Sequence, residues 1–158
     1  MRCLFMRKNR SPEEVYDDLV SQGSYEEAHL EIAEVQKVLT MAREDFLCAQ
    51  NIKQIQKPSW RIVFNAYYDV FRELCDQLLR FKGQKISNHQ GVFAFIMLNF
   101  SELELDWEFL ERIRTARNEN KYKGADVSQA MWKSIEFKFE IYISAVDKKV
   151  AELINEHR

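Results

Sequence analysis

Apolar residues recur at helical intervals along most of this chain. Between positions 25 and 49 they fall at Tyr25, Ala28, Ile32, Val35, Leu39, Ala42, Phe46 and Ala49. Steps alternating between three and four residues put these side chains on one face of a helix. Pro58 breaks the rhythm, and Trp60, Phe64, Tyr67, Phe71, Leu74, Leu78 and Phe81 restart it. Ser59 is placed to cap this second helix, and Gly83 to end it. Two long helices with so short a connection are expected to lie antiparallel. A shorter helix follows from about His89 to Phe100, with Ser87 or Asn88 as its cap. Asp106 caps a fourth, whose inward side carries Trp107, Leu110 and Ile113, and Gly124 interrupts it.

The ends of the chain carry their own signals. Ser11-Pro12-Glu13-Glu14 offers a cap, a proline at the first helical position and an acid at the third, so a short helix should run to about Val20 and stop at Gly23. Ser24-Tyr25-Glu26-Glu27 reads as a capping box opening the first long helix, and Asp126-Val127-Ser128-Gln129 as another opening the last. In the final segment Ile135, Phe137, Phe139, Ile141 and Ile143 alternate as a strand would. Trp132, Ile135, Phe139, Tyr142, Val146, Val150 and Leu153 fit a helix over more than twice that length, so helix is the assignment.

The expected fold is therefore all-α: an antiparallel bundle of four main helices plus a C-terminal one, near 25–51, 59–83, 88–100, 106–123 and 127–156. Residues 1–23 form an N-terminal segment with a short helix, and 24–158 the bundle domain. The length of 158 residues suits one domain. Composition agrees: 46% of residues are hydrophobic and 13% aromatic, enough for a core, whereas four Gly and two Pro are too few for the turns of an all-β domain.

Charge and cysteine usage narrow the chemistry. A formal charge of −2 gives no global positive field, so contact with nucleic acid would need a local basic patch. Cys3, Cys48 and Cys75 lack the paired spacing of a metal site. Cys48 and Cys75 sit in apolar helical patterns, where a reduced thiol behaves as a small hydrophobe. The basic opening MRCLFMRKNR has too short an apolar run for a secretory signal, and no stretch reaches the length of a membrane span. The expectation is a cytoplasmic protein with no membrane association, no metal and no cofactor.

Most reactive constellations are absent: there is no Gly-rich phosphate loop, and His29, His89 and His157 are isolated. The exception is the stretch Arg112 to Lys123. On a helix Arg114 adjoins Arg117 and Asn118, which in turn adjoin Lys121 and Tyr122. Cations bind phosphate, an amide orients, and a phenol ring can stack on a base. The plainer reading is a solvated charged face. Against it stands Arg117, which continues the Leu110–Ile113 stripe toward the core and so demands a partner or a ligand. The aromatic second helix reads as core first, although Tyr67 and Tyr68 cannot face inward equally, which leaves one hydroxyl for a groove.

Three stretches together resemble the HEPN superfamily (higher eukaryotes and prokaryotes nucleotide-binding domain). Trp60-Arg61-Ile62-Val63-Phe64-Asn65-Ala66-Tyr67-Tyr68 looks like its second helix, and Lys85-Ile86-Ser87-Asn88-His89-Gln90-Gly91-Val92 like the entry to its third. Ala116-Arg117-Asn118-Glu119-Asn120-Lys121-Tyr122 resembles its Arg-Asn signature. Catalytic members are metal-independent ribonucleases: an Arg and a later His on the same helix, paired across a homodimer, cut single-stranded RNA. Here Tyr122 stands where the His would be, and a phenol is a poor base at neutral pH. The pattern is closer to the non-catalytic branch, whose members bind ligands or are encoded beside nucleotidyltransferases.

The resemblance implies a homodimer, a nucleotidyltransferase-type partner, a nucleotide or single-stranded RNA ligand, and a toxin–antitoxin or defence setting. Arg117, Asn118 and Tyr122 would form the degenerate catalytic motif, and Arg114, Arg117, Asn118, Lys121 and His89 the binding set. The alternative is an active ribonuclease using Arg117 with an atypical base, for which His89 is the candidate. A structural or adaptor bundle is a third possibility.

Overall fold

A computed structural model describes residues 9–158; Cys3 and most of the basic opening segment lie outside them. The described residues form six α-helices, one two-residue ribbon and a short 3-10 turn at Ser101–Leu103: α1 (Pro12–Ser21), β1 (Glu26–Glu27), α2 (Ile32–Ile52), α3 (Trp60–Phe81), β2 (Gln84–Lys85), α4 (His89–Asn99), α5 (Trp107–Tyr122) and α6 (Gln129–Glu156). Most helices begin where a capping side chain permits it. Ser11 Oγ accepts from the Glu14 amide, Ser59 Oγ from Ile62, Asn88 Oδ1 from Gly91 and Asp106 Oδ1 from Glu108. Each satisfies one amide that the first turn leaves without an intrahelical acceptor. For α6 the cap is Ser128, which accepts from Met131, rather than Asp126 two residues earlier.

The centre of the bundle is α3. Phe64, Tyr67, Tyr68, Phe71, Leu74 and Leu78 are all buried on it, with α2, α4 and α6 packed around them. Against expectation, Tyr67 and Tyr68 both face inward, and each hydroxyl is held by a neighbour, Tyr67 by Glu140 and Tyr68 by His89, so neither is left free for a groove. Helix α6 spans the segment that alternates like a strand; its Trp132, Ile135, Phe139, Tyr142, Val146 and Val150 face inward, while Phe137 and Ile141 are exposed. The longer period thus outweighs the shorter one. Among the described residues only Tyr122 and Phe137 are largely exposed aromatics. The other described rings are buried or half-buried. Among the described residues no helix is long and apolar enough to cross a membrane.

Two further expectations are corrected. Residues 24–31 are not the first turns of a long helix, and the Ser24 capping box does not form. Glu26 and Glu27 instead pair antiparallel with Lys85 and Gln84, and the Ala28 amide donates to the Gly83 carbonyl. The Tyr25 hydroxyl donates 2.7 Å to the Gly91 carbonyl, and its ring packs with Tyr16 and Phe95. Long-range hydrogen bonds and ring packing here override a weak local propensity. The second correction concerns the thiols. Cys75 is buried, and desolvation pushes its pKa up, but Cys48 is exposed.

Candidate functional site

The stripe at the end of α5 separates into faces once the helix is packed. Arg114, Asn118 and Tyr122, spaced by four, look into one cleft of about 290 Å³. Ser87, Asn88, His89 and Gln90, at the entry to α4, line its other side. Lys121 is exposed and is not among the lining residues. Arg117 points the other way, toward α3, and is only 9% exposed.

Arg117 has found its partner inside the protein. One Nη donates 2.8 Å to Asp69 Oδ1 and the other 3.3 Å to the Asn65 carbonyl. Its guanidinium also lies over the Tyr68 ring, 5.3 Å from the centroid. Tyr68 in turn meets His89, hydroxyl to Nδ1, at 3.0 Å. Asp69, Arg117, Tyr68 and His89 therefore form a continuous line from the α3–α5 seam to the cleft. Arg117 stands behind the cleft rather than in it.

Electrostatics at this point follow from burial and from crowding by arginines. His89 has its pKa lowered, first by desolvation and then by the nearby cations of Arg72 and Arg117. Its imidazole is therefore neutral at pH 7. Burial also raises the pKa of Tyr68, more than the surrounding arginines lower it, so the phenol keeps its proton. If that hydroxyl donates to Nδ1, the imidazole proton sits on Nε2 and can be offered to a ligand. In the other tautomer Nδ1–H donates to Tyr68 and Nε2 carries a lone pair.

Each arginine around His89 has its own carboxylate. Arg72 pairs with Asp76 at 2.6 Å, Arg117 with Asp69, and Arg114 with Glu111 through Nε at 3.0 Å and Nη2 at 2.9 Å. Gln90 Nε2 donates to the same Glu111, at 3.0 Å, and so ties α4 to α5. The Glu111 fork leaves Nη1 of Arg114, with its two hydrogens, for a ligand. A second feature lies one turn beyond Arg117. Asn120 is 6% exposed, and neither polar atom of its side chain has a hydrogen-bond partner among the described residues. Among those residues no group of His, Cys, Asp and Glu could hold a metal ion.

The sequence reading placed Arg114, Asn118 and Tyr122 together, and His89 joins them. It missed Tyr68 as the support of His89, and Asp69, Arg72 and Asp76 as charge partners. A signal for the last three was present: Asp69, Arg72, Asp76 and Arg80 follow one another at helical spacing, on the polar side of the α3 stripe.

No family model, no curated protein and no solved structure matches this chain. The likeness to HEPN proteins therefore rests on its residues alone.

Proposed function

We propose that this chain is a non-catalytic, HEPN-like binding module whose cleft takes a nucleotide or a single-stranded RNA. The observation that carries the reading is the convergence of His89, from the start of α4, with Arg114, Asn118 and Tyr122 from α5 around one hollow. Tyr122 is 83% exposed, an unusual position for an aromatic ring and a suitable one for stacking on a base. The amides of Asn88, Gln90 and Asn118 can donate to and accept from a base edge. Arg114 Nη1 and an Nε2–H of His89 supply donors for a phosphate oxygen. Arg117 acts indirectly, by fixing Tyr68 and holding His89 neutral.

The runner-up, a metal-independent ribonuclease, gains one specific support. A neutral imidazole in the cleft has the protonation state of a general base. Against it, Arg117 is engaged by Asp69 and is not placed to stabilise a phosphate as charge develops on it. A fluorescent single-stranded RNA at neutral pH without metal separates the readings. Wild type should bind without cutting, and His89→Gln and Tyr122→Ala should each weaken binding. Cleavage by wild type that is lost in His89→Gln would make the protein a ribonuclease. Binding indifferent to both substitutions would remove the site.

A further inference from the structure

A second hollow of about 350 Å³ adjoins the first, and Ser87 lines both. The new one is walled by Asp76, Gln77 and Arg80 from the last turns of α3, by Ser24 ahead of β1 and Glu26 on it, and by Lys85 from β2. The connecting segment runs from Lys85 to Gln90, with Lys85 at the edge of the second hollow and Gln90 at the edge of the first.

The second hollow has the donors for a phosphate. Arg80 has no carboxylate within ion-pair distance among the described residues, because Asp76 is taken by Arg72. Lys85 has only a loose contact with Glu26, at 3.7 Å between two exposed groups. The β-ribbon explains why these cations sit here. Pairing of Glu26 with Lys85 sets the latter beside the end of α3, and the turn at Gly83, with φ of 72°, brings the chain back over Arg80.

We propose that the two hollows are one groove for a single-stranded oligonucleotide, with Arg80 and Lys85 as a second phosphate subsite. This inference rests on the reading of the first cleft given above. Ser87 is the bridge, with a hydroxyl and a backbone amide available to the linking phosphate. The exposed Tyr122 ring and the amides beside it favour a nucleic acid over an acidic peptide, which would use the cations but has no need of a stacking ring.

The test compares uridine monophosphate with an oligouridylate of about eight residues, on wild type, on Arg80→Gln with Lys85→Gln, and on His89→Gln. The glutamines keep the side-chain stems, and far-UV circular dichroism checks the fold. Wild type should bind the oligomer roughly tenfold or more tightly than the monophosphate. The double variant should lose most of that advantage, leave the monophosphate unaffected, and reduce the salt slope for the oligomer by about 1.4 at most. An oligomer affinity unchanged in the double variant but reduced in His89→Gln would overturn the groove and leave the first cleft standing. If neither ligand binds wild type, the cleft reading and the groove fall together. A polyglutamate peptide that binds through Arg80 and Lys85 where the oligomer does not would make this surface a protein site and overturn the proposal.

Discussion

The Tyr68 hydroxyl lies 3.0 Å from Nδ1 of His89, joining the middle of α3 to the first residue of α4. This hydrogen bond couples a histidine at the cleft to the Arg117–Asp69 pair, because the Arg117 guanidinium rests on the same tyrosine ring. Histidine is the side chain whose ordinary pKa lies nearest neutral pH, so its neighbours decide its charge. Here they hold it neutral.

The first prediction concerns that charge. His89 should titrate below the ordinary value of 6.5, since burial and then Arg72 and Arg117 disfavour the imidazolium. Nitrogen-15 chemical shifts of the ring, followed against pH, give both the pKa and the tautomer. Arg117→Ala should move the pKa upward by removing a cation. Because the folded value is depressed, the neutral histidine supports the fold above about pH 6.5 and opposes it once the pH falls through the folded value. A titration at or above 6.5 would show that burial and the arginines together do not outweigh Asp69 at this ring, and a pKa unmoved in Arg117→Ala would show that this arginine does not act on it.

Arg117→Ala should also cost stability. A fully buried pair that loses one member costs about 3–5 kcal/mol. Asp69 is half exposed and can regain water, so the expected loss is nearer ~1–2 kcal/mol by urea denaturation. Arg117→Lys should recover little of it, because a lysine cannot reproduce the fork between Asp69 and the Asn65 carbonyl or the stacking on Tyr68. Full rescue by lysine would mean that charge alone matters at this position.

Asn120 leads to an opposite expectation. Its amide is buried with neither polar atom bonded among the described residues, an arrangement that costs about 1–3 kcal/mol. Asn120→Leu keeps the number and branching of the side-chain heavy atoms and removes the unpaired groups, so the midpoint of thermal unfolding should rise where the pocket accepts the bulkier methyls. A fall would show that the amide is hydrogen-bonded in solution, and its partner would then be worth identifying.

How much of this was legible in the sequence depends on whether a feature is local. The caps at Ser11, Ser59 and Asp106 were, because a capping bond spans three residues or fewer. So was α6, whose three-and-four spacing outlasts its alternation. The β-ribbon was not: Glu26 and Lys85 are distant in sequence, and a two-residue pairing leaves no periodicity to read. The same division runs through the site. Arg114, Asn118 and Tyr122 could be grouped by their spacing on one helix. That Arg117 turns away from them to meet Asp69, and that Tyr68 reaches His89, are facts of packing between helices. The suspicion that a charge on the apolar stripe needs a partner was sound, and the partner proved to be internal.

The last prediction uses Asp76, which lines the second hollow. Its pKa is raised from 3.8 to about 6, chiefly by desolvation, which outweighs the attraction of Arg72 and Arg80; Glu73 adds to the rise. From the neighbouring strands, Glu26 and Lys85 line the same hollow. Since folding favours the protonated carboxyl, Asp76 helps stability fully below about pH 3.8 and loses that contribution as pH rises through about 6. Asp76→Asn should therefore stabilise the protein more at pH 7.5 than at pH 4. Binding should follow the same proton. As the carboxyl is neutralised, Arg72 and Arg80 lose an opposing charge, and an oligonucleotide should bind more tightly near pH 5.5 than at pH 7.5. The step should be centred near pH 6. His89, depressed below 6.5, contributes a separate strengthening when it protonates, and His89→Gln removes that part. Asp76→Asn should bind at pH 7.5 about as wild type does at pH 5.5, apart from the share due to His89. If the step near pH 6 survives in Asp76→Asn, another group is responsible and Asp76 does not face the bound phosphate.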